Sequence, residues 1–454
     1  MINILIIINK LITLLCKIFS KLFNKNGTVL PGSIVLKLNP DILTKIKYPK
    51  YVIGITGSSG KGSTTNYVAH ILKSAGLKVV WNNSGSNVLN GATTLILNNT
   101  NFLTRRLKAD ALLLELDESY IRHIFKSNNL THLVVTNITR DQPSRNGNPD
   151  IILNKIKYSI DYNTHLIINA DDSTVNKLSL NHQGKLTSFG IAKNKYSLNK
   201  PISNNIDSAY CPICSAKLIY GYYHYGHLGG YKCKSCDYKR NIDYEASKID
   251  LDKKTMIINK NKISLNKNIF FDAYNILAAY TLCKEIGIKD EDLLKALNIN
   301  KIISKRMKSL KLGDRDVIMI ESKNENNLSY NQSLTYINQT KETKTIILGF
   351  DNVSRRYKHN DLSWLYDIDF NILDTENIDR IFCIGRFRFD VAARLINSGI
   401  NPELLILVED INNIITLLKE NSTGTIFTMV CFDMTDILTK LFIKEEEEGD
   451  NDEN

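Results

Sequence analysis

The stretch YVIGITGSSGKGSTTNYVAHIL (51–72) holds the densest group of residues able to handle phosphate. Gly57, Ser58, Ser59, Gly60 and Lys61 follow an apolar run and precede a helical one. Glycines let backbone N–H groups turn toward phosphate oxygens, a helix start adds partial positive charge, and Lys61 would neutralise the β- and γ-phosphates. The strict form of such a loop places Gly at position 55, where Ile stands, so this is the shorter version. Gly62 also follows the lysine where a magnesium-binding hydroxyl normally sits. Ser63, Thr64 and Thr65 offer hydroxyls one to three positions later. A magnesium nucleotide further needs a carboxylate at the end of a neighbouring strand, and LLLELDES supplies Glu115, Asp117 and Glu118 there.

A second group is cysteine-based. Cys211-Pro-Ile-Cys214 and Cys233-Lys-Ser-Cys236 are two C-x-x-C pairs, each able to form a turn that presents two thiolates. Together they predict a tetrahedral Zn²⁺ site of four sulfurs with no open position, hence structural. The remaining cysteines, 16, 283, 383 and 431, sit singly in apolar segments, which fits a reducing compartment rather than a disulfide framework. The aromatic and basic text around the pairs, YGYYHYGHLGGYKCKSCDYKR, could contact nucleic acid, but packing of a small module explains it better. No separate nucleic-acid motif is present. A third group, Asp361, Asp367 and Asp369 in YKHNDLSWLYDIDF, reads on its own as a solvated turn or helix cap.

Strand and helix rhythm must position these groups. YVIGIT, KVVWNN, ALLLELD, HLVVTNI and HLIINAD alternate with polar or helical text, which predicts a mostly parallel sheet with flanking helices. The cysteine pairs interrupt it at about 205–245, and FDAYNILAAYTLCKEIGI and KDEDLLKALNI follow as helices. DVIMIES, TKTIILGF, RIFCIG, ELLILVE and TIFTMVCF then begin a second α/β rhythm. The expected organisation is an N-terminal helix and lead-in (1–46), a nucleotide-binding domain (47–300) with the cysteine insert, a C-terminal α/β domain (301–443) and an acidic tail (444–454).

The 454 residues are 43% hydrophobic and 23% charged, the balance of a soluble globular chain. An excess of Lys+Arg (58) over Asp+Glu (47) favours an anionic partner. The excess is larger in the body, because the chain ends in KEEEEGDNDEN, which reads as a disordered solvating tail. At the other end, MINILIIINKLITLLCKIFSKLFNKNG is apolar but broken by Lys10, Lys17 and Lys21, which fall within about 60° on a helix. Charges interrupt every window of about 18 residues, and no cleavage site follows, so an amphipathic helix on an anionic membrane surface fits better than a spanning or signal segment. Packing of the helix on the protein's own core is the alternative.

These motifs resemble the Mur ligase superfamily, whose ATP loop reads Thr-Gly-x-x-Gly-Lys followed by hydroxyl residues. More closely, the chain is similar to the MurT branch, the Mur-ligase-like subunits of glutamine-hydrolysing lipid II isoglutaminyl synthase. NNSGSNVLNG (82–91), ELDES (115–119), TNITRDQPSRNG (136–147), INADD (168–172), DAYNILAAYT (272–281), the four-cysteine insert and DLSWLYDIDF (361–370) occur in that branch's order and spacing. The resemblance implies a P-loop Mur-ligase central domain carrying a four-cysteine zinc ribbon, followed by a Rossmann-like α/β domain. Residues 1–46 leave no room for the usual UDP-sugar-binding domain. It places ATP phosphates on Lys61 and its loop, Mg²⁺ on Glu115, and Asn275 at the adenine. Gly62 stands where many members carry Thr, so magnesium ligation passes to Ser63 or is lost. Lys305-Arg306-Met307 replaces a Gly-Arg-Met-like segment, which weakens a nucleotide role for Arg306.

In that branch, the Asp before x-Ser-Trp completes the Cys-His pair of a separate class-I glutaminase subunit, which implies the same for Asp361. No cysteine of this chain stands on a Gly-flanked elbow, so ammonia comes from solution or from such a partner in a heterodimer. The expected activity is amidation of the D-glutamate α-carboxylate of lipid II through an acyl phosphate. The expected place is the cytoplasm, at the inner face of the membrane. A Mur-type ligase adding an amino acid, a zinc-ribbon nucleic-acid-dependent NTPase and a non-catalytic scaffold are the rivals.

Overall fold

The computed structural model describes the chain except residues 24–27, 84–86, 141–146, 202–206, 267–268, 299–306, 322–325, 353–360, 374 and 453–454. Arg306 and the side chain of Lys21 lie outside the described residues, as do parts of the 82–91 and 136–147 segments. The chain forms two compact units. The first comprises Met1–Ile138, Pro149–Asn199 and Asp207–Ile302, and the second comprises Thr139–Asn148, Lys200–Ile206 and Ile303–Asn454.

In the first unit, β1 (Tyr51–Thr56), β2 (Val79–Trp81), β3 (Ala111–Glu115), β4 (His132–Val135), β5 (His165–Asn169) and β6 (Leu186–Ile191) are parallel. A hairpin, β7 (Ile219–Tyr225) and β8 (Leu228–Lys232), stands apart as its own two-stranded sheet. Beyond it, β9 (Tyr244–Asp250) pairs with β6 in parallel, and β10 (Thr255–Ile258) and β11 (Asn261–Ser264) add an antiparallel edge. The nine strands run β11-β10-β9-β6-β5-β4-β1-β3-β2. Unbroken apolar runs such as Ala111–Leu114 and Leu166–Ile168 are buried along their length, as strands covered on both faces must be.

The covering helices of this unit are α1 (Ile2–Phe23), α2 (Leu30–Leu38), α3 (Lys61–Ser74), α4 (Leu89–Asn98), α5 (Ile121–Ile124), α6 (Pro149–Lys157), α7 (Phe270–Glu285) and α8 (Asp290–Asn298). α3 starts directly at the phosphate loop and packs against α7 and α8. Tyr67 on α3 donates to Asp272 Oδ2 on α7 at 2.7 Å, which fixes the register of the two helices. α7 is buried over nearly its whole circumference, so its residues are held to single positions. α1 packs against α2 and α4 through Leu5, Ile6, Asn9 and Thr13.

The second unit has a six-stranded sheet ordered β12-β13-β17-β14-β15-β16, with ranges Met307–Leu312, Arg315–Glu321, Thr425–Val430, Lys344–Gly349, Ile378–Ile384 and Leu405–Leu407 in that order. Only β12 runs antiparallel to its neighbour. Helices α9 (Asn327–Gln339), α10 (Arg388–Asn397), α11 (Ile414–Asn421) and α12 (Phe432–Asp452) complete it. The acidic end corrects the expectation of a disordered tail: α12 continues through the glutamates to Asp452. Leu438 and Phe442 bury the inner side of that helix, and Lys419 pairs with Glu445, so the first glutamates extend an anchored helix.

Candidate active site and metal centre

The phosphate loop lies between β1, in the middle of the parallel strands, and the start of α3. Gly57 has φ +129° and Gly60 +82°. A Cβ at Gly57 would fall 2.3 Å from Thr136 Oγ1, and one at Gly60 would fall 2.5 Å from Asn275 Oδ1. Gly57 is therefore required by conformation and by the Asn137 backbone beside it, whereas at Gly60 the left-handed conformation favours glycine and a larger residue would have to displace the Asn275 amide.

Residues from the end of β4 clamp the loop. Ser58 N–H donates to Asn137 O (2.9 Å) and Ser59 N–H to Asn137 Oδ1 (2.9 Å), while Asn137 Nδ2 donates to Ser59 O (3.0 Å). Thr136 Oγ1 donates to the same carbonyl at 2.7 Å. Lys61 folds back, donating to Gly57 O and lying 3.2 Å from Glu118 Oε1. Glu118 Oε1 also accepts from Gly57 N–H (3.1 Å) and Thr56 Oγ1 (3.3 Å). The loop thus carries a buried counter-charge in Glu118, while its lysine sits at the mouth of a helix N-terminus where phosphate would bind.

Of the three carboxylates at the end of β3, each has a different task. Glu118 holds Lys61, and Asp117 Oδ1 accepts Ser119 N–H in a local turn. Glu115 is left facing the first turn of α3, where a Cβ on Gly62 would lie 3.1 Å from its Oε2. Asn82 fixes it by exchanging two hydrogen bonds with its backbone, at 2.8 and 2.9 Å. Among the hydroxyls after Gly62, Thr65 donates to Lys61 O (2.8 Å) and buried Thr64 to Asn275 Oδ1 (3.4 Å), whereas Ser63 is half-buried and has no partner among the described residues. The structure thus brings Gly57 to Thr64, Glu115 and Asn275 together; Asn275 stands against Gly60 and Thr64. Glu118 stands among the candidate carboxylates and Thr136 and Asn137 open the TNITRDQPSRNG segment, but the sequence does not show their roles as counter-charge and clamp of the loop.

The four cysteines converge. Their sulfurs lie within 4.8 Å of one another, with Cys211 to Cys236 at 3.5 Å and Cys214 to Cys233 at 3.4 Å. Backbone N–H groups of Ile213 and Ser235 point at the sulfurs of Cys211 and Cys233. Sulfurs this close, with N–H groups turned toward them, suit a tetrahedral thiolate-bound ion.

The module is tied to the sheet by two consecutive aspartates that follow β5. Fully buried Asp171 pairs with Arg240 and accepts from Tyr274 of α7 at 2.6 Å. Burial pushes its carboxyl up to about 6 against the pull of Arg240. Asp172 Oδ2 lies 3.0 Å from His227 Nε2 and accepts Ile138 N–H at 2.7 Å. Ile138 directly follows the Asn137 that clamps the phosphate loop. Tyr274 and Asn275 are likewise consecutive, one bound to the module's aspartate and the other against the loop. The insert and the phosphate loop thus share their supports.

In the second unit, Asp361 precedes a 3-10 turn, Ser363–Asp367, and its Oδ1 accepts Ser363 N–H at 2.9 Å. Trp364 anchors that turn, buried between Tyr330 and Phe350 at ring distances of 5.2 and 5.4 Å. Asp361 itself is half-exposed and makes no other hydrogen bond among the described residues. Cys283 and Cys383 are buried in helix and strand, and burial raises the Cys383 thiol to about 12, so neither is a nucleophile. Cys431, buried at the end of β17, sits against Asp433.

The family described as Mur ligase middle domain matches residues 55–218, and that described as MurT ligase C-terminal matches 323–433. A solved pseudomurein peptide ligase type C from Methanothermus fervidus shares the fold, with TM-score 0.66 and 21% identity, over 92% of this chain and 84% of that one. Parallel sheets, phosphate loop and family matches together define an ATP-dependent ligase of the Mur type. The subunit MurT of lipid II isoglutaminyl synthase (glutamine-hydrolyzing) from Staphylococcus aureus (strain COL) is 30% identical over 381 residues, 83% of this chain and 84% of its own length. Its namesake from Streptococcus pneumoniae (strain ATCC BAA-255 / R6) is 24% identical over 399 residues, 87% of each chain. The chain belongs to the MurT family.

Proposed function

We propose that this protein is the synthetase subunit that amidates the α-carboxylate of D-glutamate in the lipid II stem, using ATP and ammonia. The observation that carries the reading is the loop with Lys61, Glu115 and Asn275 gathered around the start of α3, in a chain of the MurT family. In the first step a carboxylate oxygen of the substrate attacks the γ-phosphorus, the bond to ADP breaks, and an acyl phosphate forms. Ammonia then attacks the acyl carbon, gives up a proton, and phosphate leaves with the C–O bond electrons. Lys61 would exchange the Gly57 carbonyl for phosphate oxygens, and loop N–H groups at the helix start would hold the transferring group. Glu115 and Ser63 would hold Mg²⁺, which, when bound, neutralises charge growing on the phosphoryl oxygens. Zn²⁺ on Cys211, Cys214, Cys233 and Cys236 would be structural.

Asp361 would complete the Cys-His pair of a glutaminase partner. Its support is a half-exposed carboxylate on a turn fixed by Trp364, together with the lack of an elbow cysteine in this chain. Work at the inner face of the membrane, held through α1, belongs to the same reading, because the substrate is lipid-linked. The test is amidation of purified lipid II by the chain with ATP, Mg²⁺ and ammonium chloride. An ATP-dependent mass change equal to replacing OH by NH₂, abolished in Lys61→Ala, is expected. Incorporation of a free amino acid in place of ammonia would transfer the assignment to an amino-acid-adding ligase. ATP hydrolysis stimulated by nucleic acid would overturn both.

A further inference from the structure

Helix α1 is turned in an unexpected way. At 100° per residue, the side chains buried against α2 and α4 (Leu5, Ile6, Asn9 and Thr13) share one face. Asn9 donates to Asn98 Oδ1 at 2.9 Å, Asn98 donates to Thr13 Oγ1 at 3.1 Å, and Lys10 donates to Thr100 O at 2.8 Å. Asn9, Lys10 and Thr13 are therefore engaged by the protein itself. Ile4, Ile7, Leu11, Leu14, Leu15 and Ile18 point the other way, each 39 to 59% exposed. They cover an arc of about 100° on the opposite face. A second exposed apolar element lies beside the helix. Lys10 bonds to Thr100, which bridges to Leu107 at the base of a turn whose tip exposes Phe102 (40%) and Leu103 (69%).

Charge decides what covers this face. The first forty residues contain five lysines (10, 17, 21, 25 and 37) and neither Asp nor Glu; the turn adds Arg105, Arg106 and Lys108, again without an acidic residue. Two copies meeting through this face would bring like charges together with no counter-charge. A helix crossing a bilayer is long and apolar enough over Ile2–Phe19, at mean hydropathy 2.0. It would, however, have to tear Leu5 and Ile6 from the core and break the Asn9, Lys10 and Thr13 bonds. An anionic lipid surface satisfies both features at once, taking the apolar side chains below its headgroups and Arg105, Arg106 and Lys108 of the turn among them.

We propose that the outer face of α1, together with the Phe102–Leu103 turn and its Arg105–Arg106 pair, forms a docking surface for an anionic bilayer, on which the helix lies flat. This deepens the peripheral attachment proposed above and does not depend on the ligase chemistry. Amidation of detergent-solubilised lipid II therefore tests that chemistry separately. The full chain would be sedimented with vesicles of phosphatidylglycerol and phosphatidylcholine, or of phosphatidylcholine alone. Binding to the anionic vesicles is expected, with weaker binding to the neutral ones. The variant Leu11→Gln/Leu15→Gln should bind about tenfold or more weakly. Arg105→Gln/Arg106→Gln should bind roughly fivefold more weakly per charge removed, and only to anionic vesicles. All these side chains are exposed or half-exposed, so thermal melting of both variants should match the parent. Equal vesicle binding by parent and Leu11→Gln/Leu15→Gln would overturn the proposal. So would a parent that ignores vesicles but forms a dimer which that variant splits, or membrane-bound chain that resists carbonate extraction as a spanning helix does.

Discussion

Lys61 and Glu118 allow stability and chemistry to be separated in one experiment. Their side chains are 11% and 5% exposed and 3.2 Å apart, so Lys61→Ala strands a buried carboxylate. Removing one partner of a buried pair costs about 3–5 kcal/mol. Glu118 keeps bonds from Gly57 N–H and Thr56 Oγ1, which places this case near the lower end, at about 3 kcal/mol. In Lys61→Ala/Glu118→Gln the charge is gone and the amide oxygen still accepts both bonds. What is lost is one hydrogen bond and some packing, roughly 1 kcal/mol. The double variant should therefore regain about 2 kcal/mol over the single one, a factor of about 30 in the folded-to-unfolded ratio. Trp81 belongs to the first unit and Trp364 to the second, so urea titration by tryptophan fluorescence in a Trp364→Phe background reports on the first unit alone. Lipid II amidation with ammonium should fall by about 10²-fold or more in both variants, because neither has a cation for the phosphoryl oxygens. Equal destabilisation of the two variants would refute the pairing argument. Recovered turnover in the double variant would refute the role of Lys61 at phosphate.

Ser63→Ala should raise the magnesium requirement about tenfold in the amidation assay, whereas Gly62→Thr, crowded by Glu115 3.1 Å from the new Cβ, should not lower it. The reverse pattern would show that Ser63 is not the ligand. Cys214→Ser should release a bound ion, as read by elemental mass analysis, and lower the melting temperature by about 5 °C or more; an unchanged melt would separate the module from the sheet. Asp361→Asn should remove glutamine-driven amidation by about 10³-fold in the presence of a glutaminase partner and leave ammonium-driven amidation intact. Parallel loss of both would place Asp361 elsewhere. His132 and His165, with rings 5.3 Å apart, are each lowered to about 4, mainly by burial, with each other and Lys185 adding for His132 and Lys185 for His165. Both are neutral in the fold above the unfolded value of 6.5. As pH falls from there toward 4 the unfolded chain gains protons that the fold refuses, so stability is lost. The urea midpoint should drop over that range in the parent and drop less in His165→Gln.

Continuous apolar runs made ten of the seventeen strands among the described residues readable, from YVIGIT to TIFTMVCF. Those missed have physical reasons. β6 reads LTSFGI, with Thr, Ser and Gly diluting the run, and β9 reads YEASKID, whose buried Ala246 and Ile249 are three apart across Lys248 at positive φ, so neither a continuous run nor an alternation marks it. The β10–β11 hairpin turns at Asn259-Lys260, both at positive φ, without the glycine that marks such turns in sequence. The phosphate loop and the cysteine pairs were legible because their residues are contiguous or closely spaced. The clamp by Asn137 and the counter-charge on Glu118 were not, since strand ends far apart in sequence meet only in the sheet. For α1, the lysine stripe was visible, yet nothing in a periodicity distinguishes the apolar face that packs from the one left outside. The glutamate run suggested disorder because charge was weighed without Leu438, Phe442 and Lys419, which hold its helix.

The pairing of β6 with β9 has a consequence for how the chain is made. Strands β1 to β6 leave the ribosome first, and the edge of β6 stays open until the whole cysteine insert and then β9 have followed. Asn275 arrives later still, so a nascent chain can close Lys61 onto Glu118 long before anything stands over Gly60. An open parallel edge is a template for pairing with other nascent chains. The speed with which the insert folds onto Asp171 and Asp172 thus governs yield during synthesis. Damage to the insert should be seen first as aggregation of new protein, ahead of any defect in chains already complete.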